Sequence, residues 1–166
     1  MSIATGVSLE EYLHTVYEPD CDYVDGVLED RNVGQKIHGE TQAEVASFFI
    51  VRKKQLKIRV STELRMRVAP TRVRIPDVAI VPVEDGDEIQ QKPPLLCIEI
   101  LSPDDRLSRL LKVIADYLDF GVPMIWVIDP YDREAFVATQ ENRALQPVDE
   151  LRWNDVVIKL SDIFPE

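Results

Sequence analysis

The sequence contains no apolar run of the roughly 18 residues that a membrane span needs, and no basic stretch followed by an apolar one at its N-terminus. We therefore expect neither a membrane span nor a signal peptide, and we expect a cytoplasmic protein. Only two cysteines are present, and the spacing of Cys21 and Cys97 matches neither a metal site nor a redox motif. No internal repeat or low-complexity segment occurs in the 166 residues, which fit a single domain spanning 1–166.

Positive charge is scarce overall but concentrated in one segment. The chain has 19 basic and 30 acidic residues, and its net charge of -11 argues against nonspecific affinity for nucleic acid, because phosphates repel an acidic surface. Between Arg52 and Arg74, however, nine basic residues accompany one acid, so this segment carries a charge of +8. Subtracting it from the net charge leaves about -19 for the remainder. The charge is therefore polarised along the chain.

The first third of the chain carries signals for a helix, a hairpin and a second helix. Ser8 followed by Glu11 forms a capping box, which predicts a short N-terminal helix. The Asp-Gly dipeptide at 25–26 is favoured by type I′ turns and predicts a hairpin over 21–30. Apolar residues recur at helical spacing over about 37–54, which predicts a helix that packs on a sheet.

The middle of the chain predicts a hairpin with one basic face. Apolar and charged residues alternate over 57–68, which is typical of a strand with one face in water. Ala69 and Pro70 favour a turn, and 72–83 reads as the returning strand, apolar on both faces after Asp77.

Four arginines of this hairpin are candidates for nucleic-acid binding. With a two-residue loop, Arg65 would face Arg74 and Arg67 would face Arg72. Like charges placed opposite one another are unfavourable by roughly a few tenths of a kcal/mol. An anionic partner would relieve that repulsion, and so would water and salt. The pattern therefore fits either a nucleic-acid surface or a solvated face.

A strand, a helix and a second strand follow. The run 95–101 predicts a buried strand, and Ser102 with Pro103 predicts the start of a helix with two acids near its positive end. Gly121 marks the end of that helix, and a strand at 124–128 would then lie parallel to the first. The buried stripe of the helix is expected to contain Leu107, Leu110, Leu111, Ile114 and Leu118. Weaker strand signals occur at 133–139 and 156–160.

Two acids interrupt these apolar strands. Asp77 opens one run and Glu99 lies within the next, and a carboxylate buried among Val, Ile and Leu needs a cation, a donor or a proton. Each acid could instead sit in water at a fraying strand end. If the strands are neighbours, the two carboxylates and the carbonyl oxygen of Ile100 form a set that suits Mg²⁺, with room for waters and a substrate phosphate. Such an ion would assist attack on a phosphodiester.

Several short motifs in this region resemble a known family. They are Arg-x-Pro-Asp at 74–77, Cys-Ile-Glu-Ile-Leu-Ser-Pro at 97–103, the helix carrying Tyr117, Gly-Val-Pro at 121–123 and Trp-Val-Ile-Asp-Pro at 126–130. With the 25–26 turn and His38, they resemble the Uma2 family of restriction-endonuclease-like proteins. The resemblance implies an α/β (α+β) PD-(D/E)XK nuclease fold, a mixed β-sheet flanked by helices. It also implies Mg²⁺-dependent (or Mn²⁺-dependent) phosphodiester hydrolysis, with Asp77 and Glu99 as metal ligands.

One motif residue is absent. The superfamily pattern would place a lysine two residues after Glu99, where this chain has Leu101. Relatives often carry that cation on the next helix, where Lys112 is the only lysine and becomes the candidate catalytic cation. Arg106 and Arg109 could supply the cation instead, and Lys112 would then be a solvated helix lysine. With no cation, the metal alone would stabilise the developing charge.

Other candidates have simpler alternatives. His38 is an auxiliary candidate that could orient water or contact a phosphate, or could make a local hydrogen bond. Glu40 and Glu44 could extend the metal site but fit a solvated acidic face. Glu63 is expected to neutralise Arg65 or Arg74, and Tyr117 and Trp126 are expected in the core.

The leading functional hypothesis is a metal-dependent endonuclease acting on DNA, with the basic hairpin 57–74 steering the backbone toward the acids. The alternative is a nuclease-like fold without turnover, serving as a nucleic-acid-binding or assembly module, which net acidity and Leu101 favour. We expect a homodimer, because a nuclease that cuts duplex DNA gains from two-fold symmetry matched to its substrate.

Overall fold

The computed structural model describes residues 6–32 and 34–166. In chain order its elements are α1 Leu9–Leu13, β1 Cys21–Val24, β2 Val27–Asp30, α2 Lys36–Ile50, α3 Lys53–Leu56, β3 Ile58–Thr62, β4 Met66–Ala69, β5 Arg72–Arg74, β6 Val78–Pro82, β7 Leu96–Ile100, α4 Leu107–Phe120, β8 Met124–Asp129, β9 Glu134–Thr139, β10 Gln146–Val148, β11 Glu150–Trp153 and β12 Val156–Lys159. A short 3₁₀ turn, Leu160–Asp162, follows. Within the described residues, no helix has both the length and the apolar character needed to span a bilayer.

A six-stranded mixed sheet in the order β10-β9-β8-β7-β6-β3 is the centre of the molecule. β7 and β8 run parallel, and the other neighbouring pairs are antiparallel. The two faces of the sheet are covered by separate hydrophobic cores, and alternate residues of β7 belong to each. Ile98 lies in the core that contains Phe49 of α2, whereas Cys97 lies in the core that contains Ile114 of α4. The two helices therefore cover opposite faces of the sheet, as the predicted mixed sheet flanked by helices requires.

A second sheet, in the order β2-β1-β5-β4, carries the N-terminal hairpin, and α1 packs on it through Tyr12. The hairpin prediction is confirmed, since Asp25 and Gly26 have φ of 51° and 89° as a type I′ turn needs. The predicted cap of α1 is confirmed as well, with the Glu11 amide donating to Ser8 Oγ at 3.1 Å. β11 and β12 form a separate two-stranded ribbon.

The expectation of one continuous strand over 57–68 is wrong. β3 ends at Thr62 and belongs to the six-stranded sheet, whereas β4 belongs to the four-stranded sheet. Glu63 lies between them with φ of 54°, a left-handed conformation that interrupts a strand. The predicted return strand is divided in the same way, into β5 and β6. Between β3 and β6 the chain thus crosses from one sheet to the other twice.

The predicted register of the hairpin arginines is also wrong. Met66, not Arg65, pairs with Arg74, and Ala69 pairs with Arg72 after a shift in register. The shift separates the like charges that a simple two-residue loop would have placed opposite one another.

Three details of the predicted helices differ from the structure. Helix 37–54 is two helices, since α2 ends at Ile50 before the short α3 begins. Helix α4 begins at Leu107 rather than after Ser102, and the residues between them form a turn in which the Asp105 carboxylate accepts the Ser102 amide at 2.6 Å. Leu107 and Leu111 are exposed, so the buried stripe consists of Val113, Ile114, Tyr117 and Leu118. The predicted C-cap, Gly121, is confirmed with φ of 106°.

Candidate active site

The register of β6 and β7 brings the two predicted acids side by side. Val78 pairs with Ile98, so Asp77, one residue before β6, lies opposite Glu99. Residues that face each other on antiparallel strands project to the same side of the sheet. Both acids line one cavity of about 30 Å³, which exceeds the roughly 10–15 Å³ that one water molecule needs.

Asp77 is buried and held by four partners. Its Oδ2 accepts the backbone amide of Ile100 at 2.7 Å, and its Oδ1 lies 3.2 Å from Arg31 Nη2. The same Oδ1 lies 3.4 Å from His38 Nε2. Gln42 donates to the backbone carbonyl of Asp77 at 2.9 Å. These contacts fix both the main chain and the carboxylate of Asp77.

Glu99 is a strongly perturbed acid. Burial raises the pKa of the Glu99 carboxyl well above its usual value, and the negative charge of Asp77 raises it further. The hydroxyl of Tyr117 on α4 donates to Glu99 Oε1 at 2.5 Å and partly offsets both effects. Tyr117 is fully buried as predicted, but it is also a partner of the site, which the sequence analysis missed.

Arg31 is the second residue that sequence reasoning missed. It follows β2 directly and hydrogen-bonds Glu63 and Asp77, with Asp22 Oδ1 4.0 Å from its Nε. The partner expected for Glu63 was Arg65 or Arg74, so that expectation is wrong. Nothing in the sequence around Arg31 marks it, because its hydrogen-bond partners Glu63 and Asp77 lie 32 and 46 positions along the chain.

His38 faces the site from the first turn of α2. Its hydrogen bond to Asp77 and the negative charge of that residue raise the pKa of the imidazole. Gly34 approaches the ring so closely that a Cβ at this position would lie 2.5 Å from His38 Nδ1. Any side chain at residue 34 would therefore displace the histidine. Glu40 and Glu44 are exposed on the same helix and do not line the cavity.

Lys112 lines a neighbouring groove rather than the cavity of the two acids. This groove has a volume of about 260 Å³ and lies between the N-terminal hairpin and α4. Arg106 and Arg109 line both the cavity and the groove, so these arginines connect the two. Arg109 also donates to Asp22 at 2.8 Å.

The four hairpin arginines make contacts within the protein. Arg74 is buried and lies within 3.0 Å of carboxylate oxygens of Asp22, Glu29 and Asp116. The other three bond elsewhere: Arg65 to Asp20, Arg72 to Asp25 and Asp116, and Arg67 to the carbonyl of Pro70. Their assignment to nucleic-acid binding stays a prediction.

The donor set at the cavity fits a hard divalent cation. Two adjacent carboxylates repel each other, as the raised pKa of Glu99 reflects, and a cation between them removes that repulsion. In the described residues, no three His, Cys, Asp or Glu side chains form a ready metal cluster. A cation here would therefore take two carboxylates, a backbone oxygen such as that of Ile100 and several waters, which is how Mg²⁺ usually binds.

Comparison with known proteins agrees with this architecture. The profile of the family described as "Uma2: Putative restriction endonuclease" matches residues 9–166. The chain belongs to the Uma2 family. A solved structure with 26% sequence identity superimposes with a TM-score of 0.83, covering 95% of this chain and 97% of that one. It is described as a putative nuclease belonging to DUF820 from Anabaena variabilis ATCC 29413. No curated protein gives a significant match. The chain therefore has the predicted α+β fold of a nuclease-like protein.

Proposed function

We propose that this Uma2 protein is a Mg²⁺-dependent (or Mn²⁺-dependent) endonuclease that hydrolyses phosphodiester bonds of DNA. The observation that carries the proposal is the pair Asp77 and Glu99, opposite one another and lining one small polar cavity. Family membership and the likeness to a protein described as a nuclease support the same reaction class.

The roles of the chain's own residues follow from their contacts. Asp77 and Glu99 would hold the cation, which would supply charge neutralisation at the phosphate and activation of the attacking water. The Ile100 amide keeps Asp77 Oδ2 in place, and Tyr117 keeps Glu99 Oε1 in place, so both carboxylates are held in a fixed orientation. His38, beside Asp77 Oδ1, orients that carboxylate.

Contacts to the DNA backbone are proposed mainly for α4. Arg106, Arg109 and Lys112 line the cavity or the groove beside it, where a phosphate backbone would approach the acids. Among the hairpin arginines, Arg67 bonds a neutral carbonyl, so its charge would add to a field toward DNA, whereas carboxylates beside Arg65, Arg72 and Arg74 offset much of theirs.

Plasmid cleavage tests this proposal directly. With Mg²⁺ or Mn²⁺ added, the wild type should nick or linearise plasmid DNA, and Asp77→Ala or Glu99→Ala should lower the rate by roughly 100-fold or more, since either change removes a ligand of the assisting cation. Glu44→Gln is the matched control, because this exposed acid on α2 does not line the cavity. Cleavage that survives both alanine substitutions would rule out this mechanism.

The alternative function is a nuclease-like module that binds nucleic acid or assembles without turnover. Leu101, which lines the cavity where the superfamily pattern places a lysine, is the observation that favours it. DNA binding by the wild type without cleavage under any divalent cation would support this alternative over the enzyme.

A further inference from the structure

Arg31 is a permanent cation inside an acidic site. Its side chain is 15% exposed and contacts carboxylates of Asp77, Glu63 and Asp22. Burial alone would lower the pKa of Arg31, but its hydrogen bond to Glu63 and the charges of Glu63 and Asp77 more than offset this and raise it. Since a guanidinium is not deprotonated in proteins, its charge stays beside Asp77 at every working pH.

Arg31 and a divalent cation would compete for the same carboxylate oxygen of Asp77. Asp77 Oδ2 accepts the Ile100 amide at 2.7 Å, so a cation would approach Oδ1, which also faces His38 Nε2 at 3.4 Å. Arg31 Nη2 already donates to that Oδ1, at 3.2 Å. Two positive charges a few ångströms apart repel one another, and the repulsion is stronger in a partly buried site than in bulk water. Arg31 in this position therefore opposes the binding of a metal ion to Asp77.

We propose that Arg31 is the built-in counter-ion of this site: it neutralises Asp77 in the metal-free protein and yields Asp77 Oδ1 when a divalent cation binds. Arg31 lines the same cavity as Leu101, whereas Lys112 lines the adjacent groove. Arg31 is a positioning residue, because it acts through Asp77. The inference rests on the proposed function, since it takes Asp77 to be a metal ligand.

The remaining contacts of Arg31 keep the free-energy cost of its release from Asp77 small. When Arg31 leaves Asp77, Glu63 still accepts its hydrogen bond and Asp22 still lies nearby, so no buried cation is left without a partner. Gln42 holds Glu63 in place by donating to its Oε1 at 3.0 Å. The guanidinium therefore needs to lose one of three acidic partners and no more.

Titration calorimetry of the full chain with Mn²⁺ tests the inference without any DNA. Arg31→Met should bind Mn²⁺ about tenfold more tightly than the wild type, a gain of roughly 1.4 kcal/mol, and should melt at a lower temperature in chelator. Arg143→Met is the matched control: it removes the same charge from a half-exposed ion pair with Asp119 and should leave the Mn²⁺ Kd unchanged. If Arg31 only held the fold together, its removal would weaken Mn²⁺ binding or leave it unchanged, and either result overturns the inference.

A second variant protects the test against misfolding. Arg31→Gln removes the charge but retains a hydrogen-bond donor for Glu63, and it should also tighten Mn²⁺ binding, whereas unchanged or weaker binding overturns the inference. The wild type distinguishes the two proposals. A wild type that binds no Mn²⁺ would contradict the proposed function, and this inference with it. A wild type that binds Mn²⁺ no less tightly than the Arg31 variants would overturn this inference alone.

Discussion

Glu99 carries an energetic cost that a neutral side chain of the same shape would not. Its carboxyl is partly buried beside Tyr117 of α4, and Asp77 adds a second negative charge beside it. Natural proteins accept such unfavourable groups where they bind or react, and replacing them usually gains stability at the expense of function. A raised carboxyl pKa of this kind is typical of functional sites.

Replacing Glu99 by glutamine should therefore stabilise the metal-free protein by about 1–2 kcal/mol, because an amide oxygen can still accept the Tyr117 hydroxyl. Since the pKa of Glu99 is higher in the folded than in the unfolded protein, the wild type loses stability relative to the variant as the pH rises above the usual glutamate value of 4.5. In urea unfolding with chelator, the gap should be larger at pH 8 than at pH 5. Glu44→Gln should show no such gap, and equal stability of Glu99→Gln and wild type at pH 8 would contradict the argument.

At the scale of elements, α4 links the core to the site. One side packs Val113, Ile114 and Leu118 on the six-stranded sheet, while Tyr117 reaches Glu99. Asp116 on the same helix accepts hydrogen bonds from Arg74 and Arg72 of β5. The position of this helix therefore determines how the Glu99 carboxylate is held through Tyr117, and it also determines the shape of the groove lined by Lys112.

The C-terminal end of α4 provides a test of that dependence. Gly121→Ala should destabilise the protein by about 1 kcal/mol or more, because φ is 106° and the new Cβ would lie 3.2 Å from Pro93 Cγ. Gly39→Ala is a matched control in α2, where a Cβ meets no atom within 4 Å, and should stabilise the helix by roughly 0.5–1 kcal/mol. Denaturant midpoints measure both changes, and a shift of the same sign in the two variants would refute the assignment of Gly121 as the helix cap.

At the scale of the whole molecule, basic and acidic residues that are far apart in the sequence form ion pairs in the folded protein. The segment 52–74 is strongly basic in sequence, yet Arg74 joins β5 to acids on β1, β2 and α4. Arg65 joins the same region to Asp20, near α1. These ion pairs connect the four-stranded sheet to the helix that covers the larger sheet. The positive charge of this segment is therefore largely paired with acids inside the fold.

We predict a homodimer, because two copies related by a two-fold axis match the symmetry of duplex DNA and present one site to each strand. Light scattering coupled to gel filtration should give twice the mass of one chain at micromolar concentration. A mass of one chain across the accessible concentration range would contradict this prediction, and double-strand cleavage would then need two separate encounters.

The sequence by itself determined those features whose signals lie within a few residues of one another or within a single strand. The cap at Ser8, the turn at 25–26 and the stop at Gly121 need only local backbone preferences, and the acids Asp77 and Glu99 stand out because each interrupts an apolar run.

Only the tertiary structure decided which cations and hydroxyls contact those acids. Arg31 is 46 positions from Asp77, and Tyr117 is 18 from Glu99. The break at Glu63 was equally hidden, since alternation continues through it while the two halves join different sheets. Such contacts depend on how the sheets pack, and no local preference encodes them.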